Sequence, residues 1–498
     1  MPIATIGYYV RQRNIHTQHV VSFSLSLIDQ VGMDQRSLSR SIARVTTAAS
    51  FGFALVQLDV TIVNVALPRI ASDLHTGVAG LQWVVDAYAL AFAVFLLSLG
   101  YLGDRLGARK VFIGGMLAFA LASVLCGCAT NAVVLIIGRA LQGIGAAAML
   151  PCSLALLSHA SAHEHALRAR AVGWWTAAGS ISIAAGPIIG GLLMSVTTWR
   201  SIFFVNVPVC AVGIWLALRV PESELKARHG RFDFPGQLLA ILALTGLTMA
   251  VIEVHPLGWM HPLVLACIAA ALVATPLFLL VESRSSAPML PLRFFKAPGF
   301  SIAVIYGVVV NMTYYGIVFL LSLYLQRVHG YSALRTGLAY LPLTATFFGV
   351  NIFSGWLVGR TGARLPMVLG ALIDGAGFAL FLLLGASSPY LLMLPAFALL
   401  PAGMGLGVPA MTTTVLSAVE KHAAGTASGV LNAARQAAGA VGVALFGALA
   451  GDRNDLVVGG LHRSAMISVA LLLVAAMLAF IYISPSHKAA PRSSVQER

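Results

Sequence analysis

The sequence predicts an all-α polytopic membrane protein with fourteen transmembrane helices. Two observations carry that reading, and a third orients it. The 498-residue chain is 59% hydrophobic and only 10% charged, whereas soluble globular domains run at about 45–50% and 25%. Apolar runs of about twenty residues also recur along it. That is the length a helix needs, at about 1.5 Å per residue, to cross a hydrocarbon core of about 30 Å. The alternating ten-residue strands of a membrane β-barrel are absent from the sequence.

In chain order the runs lie near residues 47–69, 82–103, 110–129, 132–157, 172–195, 201–220, 235–254, 262–282, 300–326, 336–358, 366–385, 389–416, 425–450 and 464–484. Charge orients them. With residue 1 in the cytoplasm, 23 of the 31 Lys and Arg residues fall on the inner side and six on the outer. The remaining two, Arg139 and Arg435, lie within apolar runs. This split fits the positive-inside rule with both termini cytoplasmic, in a cell (inner or plasma) membrane. It also explains the formal net charge of +14 without nucleic acid as a partner.

Residues 1–46 read as a basic, Ser-rich, disordered cytoplasmic tail, with Met33 as an alternative start. Residues 486–498 form a second cytoplasmic tail. The five cysteines, Cys126, Cys128, Cys152, Cys210 and Cys267, all fall in apolar runs. They therefore form no secreted disulfide framework and read as small packing residues rather than metal ligands. The segment HASAHEHALRAR, 159–170, holds three histidines too loosely spaced for a metal site and reads as a solvated inner loop.

The chain repeats itself. A single offset aligns Gly100, Leu102, Arg105, Gly107, Ala108 and Arg109 with Gly355, Leu357, Arg360, Gly362, Ala363 and Arg364. An offset one residue larger brings Gly173, Gly186 and Gly191 onto Gly429, Gly442 and Gly447. Two agreeing Gly patterns indicate a duplication. The offset spans eight runs, so six-helix bundles at 47–220 and 300–485 flank an insertion of two helices, at 221–299. An even displacement leaves both bundles the same way up, one of the repeat schemes of transporters.

Several motifs carry chemistry. In GYLGDRLGARK, 100–110, Gly100 and Gly103 would let helices 2 and 3 turn tightly and pack closely. Asp104 can lie near a helix N-terminus or pair with an Arg of the neighbouring bundle. Arg105, Arg109 and Lys110 can meet lipid headgroups or a carboxylate. With Gly107, these residues read as a gating loop whose contacts bias one conformation.

In helix 1, Gln57, Thr61, Asn64 and Pro68 share one face and Asp59 lies nearly opposite, so the helix belongs inside the bundle. In helix 4, Arg139, Gln142, Gly143 and Ala146 form a stripe of polar and small residues. A membrane-buried Arg needs a partner, and Asp59 and Asp86 are the candidates by depth. A carboxylate beside Arg stays ionised, and its proton affinity climbs when the Arg is removed, as proton coupling requires.

Asp86 shares its face with Gln82 and Ala89 and is placed to bind a proton or a cationic cargo. Asp374 shares a small-residue face with Gly370 and Gly377. In helix 5, Gly179, Ser182, Gly186 and Gly190 form a stripe without bulk, followed by Gly191, and Pro187 kinks the helix. Such helices suit the rocking of one half against the other. In TWRSIFFVNVP, 198–208, Trp199 and Phe203 are expected in the aromatic interface belt. In helix 13, Asn432, Arg435 and Gly439 share a face, and Arg435 needs an acidic or carbonyl partner. Gln57, Thr61, Asn64, Gln142, Asn432, Arg435 and Asp374 are the expected cavity residues.

These motifs resemble the fourteen-helix drug:proton antiporter family of the major facilitator superfamily, over residues 47–485. GYLGDRLGARK is similar to the superfamily's loop 2–3 signature, with Ala108 where a basic residue is common. LDVTIVNVALP and GRALQGIGAA resemble the helix 1 and helix 4 signatures. The antiporter motif of helix 5 is matched at Gly186, Pro187, Gly190 and Gly191, whereas Ser182 replaces an expected Gly. The resemblance implies the major facilitator fold and alternating access, with proton entry driving export. It implies no cofactor beyond the proton gradient, and Asp59, Arg139 and Asp86 as proton-coupling residues. Few charges in apolar walls favour lipophilic cargo, cations included. Protons, a small-molecule substrate and membrane lipid are then the partners. The assembly is a monomer, with a periplasmic adaptor and an outer-membrane channel as the further partners open to it.

The competing reading is a facilitator or symporter of a small metabolite on the same fold. The Gly-Pro stripe of helix 5 argues against it. An enzyme is disfavoured because neither HExxH nor GxxxxGK[ST] occurs.

Overall fold

The computed structural model describes residues 42–160, 165–220, 233–285, 288–420, 423–451 and 453–484. The expected terminal tails lie almost wholly outside them, as do residues 161–164 of the histidine segment. From His165 onward that segment is helical, the start of the fifth helix rather than loop.

Fourteen helices among the described residues are long and apolar enough to span a membrane. In order they are α1 Ile42–Asp73, α2 Val78–Leu106, α3 Ala108–Gly127, α4 Ala132–Ser158, α5 Gly173–Val196, α6 Ser201–Leu218 and α7 Phe234–Leu257. They continue as α8 Pro262–Arg284, α9 Pro298–Val328, α10 Ala333–Thr361, α11 Arg364–Leu383, α12 Tyr390–Ser417, α13 Ala424–Ala450 and α14 Leu456–Tyr482. Helices extend past the apolar runs where amphipathic turns continue them. α1 starts five residues early and α14 eight, because length beyond the apolar core costs nothing once a helix is nucleated.

Six helices form each bundle, and α7 and α8 are inserted between them. Odd-numbered helices begin at one face of the molecule, here the near face, and end at the far face. Arg364, at the near end of α11, accordingly stacks on Phe480, at the near end of α14 (4.2 Å).

Each bundle is held by backbone approaching backbone, as membrane helices pack without a solvent-driven force between them. A Cβ built on Gly145 of α4 would lie 2.8 Å from the Gly115 carbonyl oxygen of α3. One on Gly377 of α11 would lie 2.7 Å from the Leu400 nitrogen of α12. α7 straddles the seam between the bundles. Its Glu253 accepts from Trp83 Nε1 of α2 (3.0 Å), its Gln237 bonds Ser98 of α2, and its His255 approaches Gly451 at the far end of α13.

The bundles meet at the far face. Gly191 of α5 seats against Ala333 and Leu334 of α10, and Gly337 of α10 seats against the Pro187 carbonyl of α5. Ser322 of α9 donates to the Asn64 carbonyl of α1 (2.5 Å), and Gln326 to that of Val65 (3.1 Å). Gln82 of α2 donates to the Ala444 carbonyl of α13 (2.5 Å). Toward the near face α2 and α13 still touch, at Leu97 and Gly429, whereas α5 and α10 part. A Cβ on Gly173, Gly349, Gly355 or Gly359 meets nothing within 4 Å. The structure is closed at the far face and parted at the near one.

Candidate functional site

Asp59 points away from the seam between the halves into the first bundle. Its Oδ2 accepts from Arg139 Nη1 at 2.5 Å. Its Oδ1 accepts from Asn206 Nδ2 (3.0 Å) and Gln142 Nε2 (3.3 Å). Arg139 also donates to the Val84 carbonyl (3.0 Å) and the Gln142 Oε1 (2.9 Å). Gln142 in turn donates to Ser123 Oγ (2.7 Å). One network thereby joins α1, α2, α3, α4 and α6. Asp59 is 0% exposed and Arg139 1%. Such a pair survives in low dielectric only because almost every polar atom in it has a partner. The guanidinium also lies over the Tyr88 ring, 4.4 Å from its centroid, with Phe203 at 6.0 Å.

Of the two carboxylates expected by depth, the structure gives Arg139 to Asp59. Asp86 is fully buried, and neither of its oxygens has a hydrogen-bond partner. It sits one turn along α2 from Gln82, on the face toward α13. Asp374, expected in the cavity, is instead enclosed in the second bundle with both oxygens unpartnered. Gly370 and Gly377, which share its face, pack that face onto α12 at Gly403 and Leu400.

Helix 1 presents its remaining polar residues elsewhere. Thr61 packs against Gly186 of α5 and returns its hydroxyl to its own helix. Asn64 is buried beside α9, and Gln57 is half-buried. The α5 stripe divides its labour: Gly186 and Gly190 seat α1, and Gly191 with Pro187 makes the far-face seal with α10. Ser182 lines an apolar groove of about 720 Å³ between α1, α5 and α6.

The gating-loop residues occupy places the spacing alone did not reveal. Gly100 and Gly103 pack α2 mainly onto Pro151 and Cys152 of α4, and Gly103 also faces Ala108 at the start of α3. The turn into α3 rests on Gly107, whose φ of 101° only glycine adopts readily. Asp104 lies close to Cys152 of α4. Arg109 donates from Nε to the Ala217 carbonyl (3.1 Å) and from Nη2 to that of Leu218 (2.6 Å), closing the C-terminal end of α6. Arg105 and Lys110 are exposed at the near face.

One further expectation is corrected. Trp199 and Phe203 are buried rather than in the interface belt. Asp73 draws Trp199 inward by accepting from its Nε1 (2.8 Å) and from Arg200 (2.7 Å). Arg435 gains no acidic partner among the described residues: its Nε is unpartnered, and Nη1 donates to the side-chain carbonyl of Asn432 at 3.5 Å. Asn432 lines a cavity of about 480 Å³ between α2, α4 and α13. Ser123, Asn206 and Tyr88 complete the site and were not anticipated, although a lone Asn within an apolar run was a signal.

Two like-oriented six-helix bundles that meet at one face, with a buried ion pair inside the first, form the architecture of a membrane transporter. The Major Facilitator Superfamily model matches residues 49–443, and the chain belongs to that superfamily. It is 39% identical over 402 residues to the multidrug resistance protein Stp of Mycobacterium tuberculosis, covering 81% of this chain and 74% of that one. It is 38% identical to the methylenomycin A resistance protein of Bacillus subtilis (84% and 90% covered). It is 36% identical to the cephamycin export protein CmcT of Amycolatopsis lactamdurans (88% and 91%). Among solved structures, the nucleoside transporter NupG shares the fold, with a TM-score of 0.63 at 11% identity, over 89% of this chain and 100% of that one.

Proposed function

We propose that the protein exports lipophilic drugs or toxic metabolites in exchange for protons, with the near face cytoplasmic. The observation that carries this reading is the sealed Asp59–Arg139 pair. An ionised carboxylate whose charge is held by one guanidinium changes proton affinity sharply if that guanidinium moves. Arg139 is held by the Val84 carbonyl of α2, and α2 also forms the seam with α13. Rocking of the bundles therefore has a mechanical route to the pair.

Drug export is supported by the multidrug resistance, antibiotic resistance and export proteins to which the chain is similar. The near face carries most of the Lys and Arg residues, which supports its cytoplasmic placement. The far-face seal at Gly191 and Gly337 corresponds to a state open to the cytoplasm, ready to take cargo.

The reading is tested by dye uptake into everted membrane vesicles energised by respiration. Uptake that stops when a protonophore collapses the gradient is expected. Uptake indifferent to the gradient would favour a facilitator.

A further inference from the structure

We propose that Arg435, with Asn432 beside it, recognises a carboxylate on the cargo, so that lipophilic acids rather than cations are the preferred substrates. This inference rests on the export reading and names its substrate class. Arg435 projects from α13 toward α9, where Gly307 leaves room for its stem: a Cβ there would sit 3.3 Å from Arg435 Cγ. Its Nε is buried without a hydrogen bond, and its nearest partner is the neutral amide of Asn432. Among the described residues it makes no ion pair.

Tyr315 of α9 packs against Gly439 of α13, one turn along the helix from Arg435. Asn432 opens the group to the 480 Å³ cavity between the halves.

The acids nearby do not answer this charge. Asp59 is saturated by Arg139, Gln142 and Asn206. Asp86 lies on the Gln82 face of α2, further toward the far face, and neither of its oxygens bonds Arg435. Asp104 and Asp233 line the same cavity. Leu97 marks where α2 crosses Gly429, which places Asp104 roughly 20 Å from Arg435 along the helix axes, at the near-face mouth.

A guanidinium in a low-dielectric site without a counter-ion is costly, and a planar carboxylate is its best bidentate complement. Cargo that supplies the carboxylate removes that cost.

The test uses the full-length protein in detergent with no gradient, so it is independent of proton coupling. The probes are 1-pyrenebutyrate, its methyl ester and a pyrenebutyl trimethylammonium salt, and the readout is ligand-induced thermal stabilisation across concentration. The acid should bind roughly tenfold tighter or more than the ester or the cation. Arg435→Gln should lower acid binding to the level of the ester, and Arg435→Lys should retain part of the preference. If Arg435→Gln does not fold, the wild-type ranking with Arg435→Lys decides. Equal binding of acid and ester, no binding at all, or a preference that survives Arg435→Gln overturns the inference. Gradient-independent uptake with the acid preference intact would overturn only the proton-coupled export reading.

Discussion

Asp59 and Arg139 form a salt bridge between α1 and α4, Oδ2 to Nη1 at 2.5 Å, from which solvent is excluded. Removing one partner strands a buried charge, a loss of about 3–5 kcal/mol in other proteins. Arg139→Ala should therefore unfold at markedly lower denaturant or temperature in detergent. The double substitution Asp59→Asn with Arg139→Gln should recover most of that stability, because neutral amides can share the same hydrogen bonds. A double variant no more stable than Arg139→Ala would contradict this account of the pair.

The far-face seal depends on the absence of a side chain at Gly337. A Cβ there would overlap the Pro187 carbonyl, and that backbone cannot move aside as a flexible side chain would. Gly337→Val should leave each bundle folded, since the contact lies between bundles. It should lower dye transport roughly tenfold or more by destabilising the closed far face by at least about 1.4 kcal/mol. Thiol labelling of single cysteines placed on the facing surfaces of α5 and α10 should rise at the far end and fall at the near end.

Arg109 closes the end of α6 through two carbonyls of the same bundle. Arg109→Ala should cost about 1 kcal/mol of stability, the worth of capping a helix end with a cation. A variant of unchanged stability but abolished transport would show that Arg109 acts in gating rather than in holding α6.

Asp374 offers both oxygens to no donor inside the second bundle. With no donor facing it, the carboxyl makes no hydrogen bond that a side-chain amide of the same shape would lose. Asp374→Asn should match the wild type to within about 1 kcal/mol in denaturation. A loss of several kcal/mol would mean that the carboxylate carries a charge with a partner the structure does not give it.

Much of this architecture was legible in the sequence because lipid imposes one rule on every span: about twenty apolar residues with internal hydrogen bonds. The duplicated Gly patterns, the helix count and the need of Arg139 for an acid followed from that rule and from the cost of buried charge. What the helical wheel could not supply was which face meets which neighbour. The spacing points Gly100 and Gly103 toward α3, the sequence neighbour, whereas packing within the first bundle turns them mainly onto α4. Trp199 was read as an interface anchor, since nothing local announced that Asp73, at the far end of α1, would draw its indole inward. Asp374 was assigned to the cavity for its small-residue face, which serves instead to bring α12 into contact.

The central claim, that a proton moves through Asp59 whenever cargo moves, is tested most directly in liposomes containing only the purified protein and an internal pH-sensitive dye. Adding exported cargo to one side should produce a proton flux in the opposite direction. The paired substitution Asp59→Asn with Arg139→Gln, which strands no charge, should still exchange labelled for unlabelled cargo while moving no protons. Cargo flux without any pH change in the wild type, or an undiminished pH change in the paired variant, would contradict the claim.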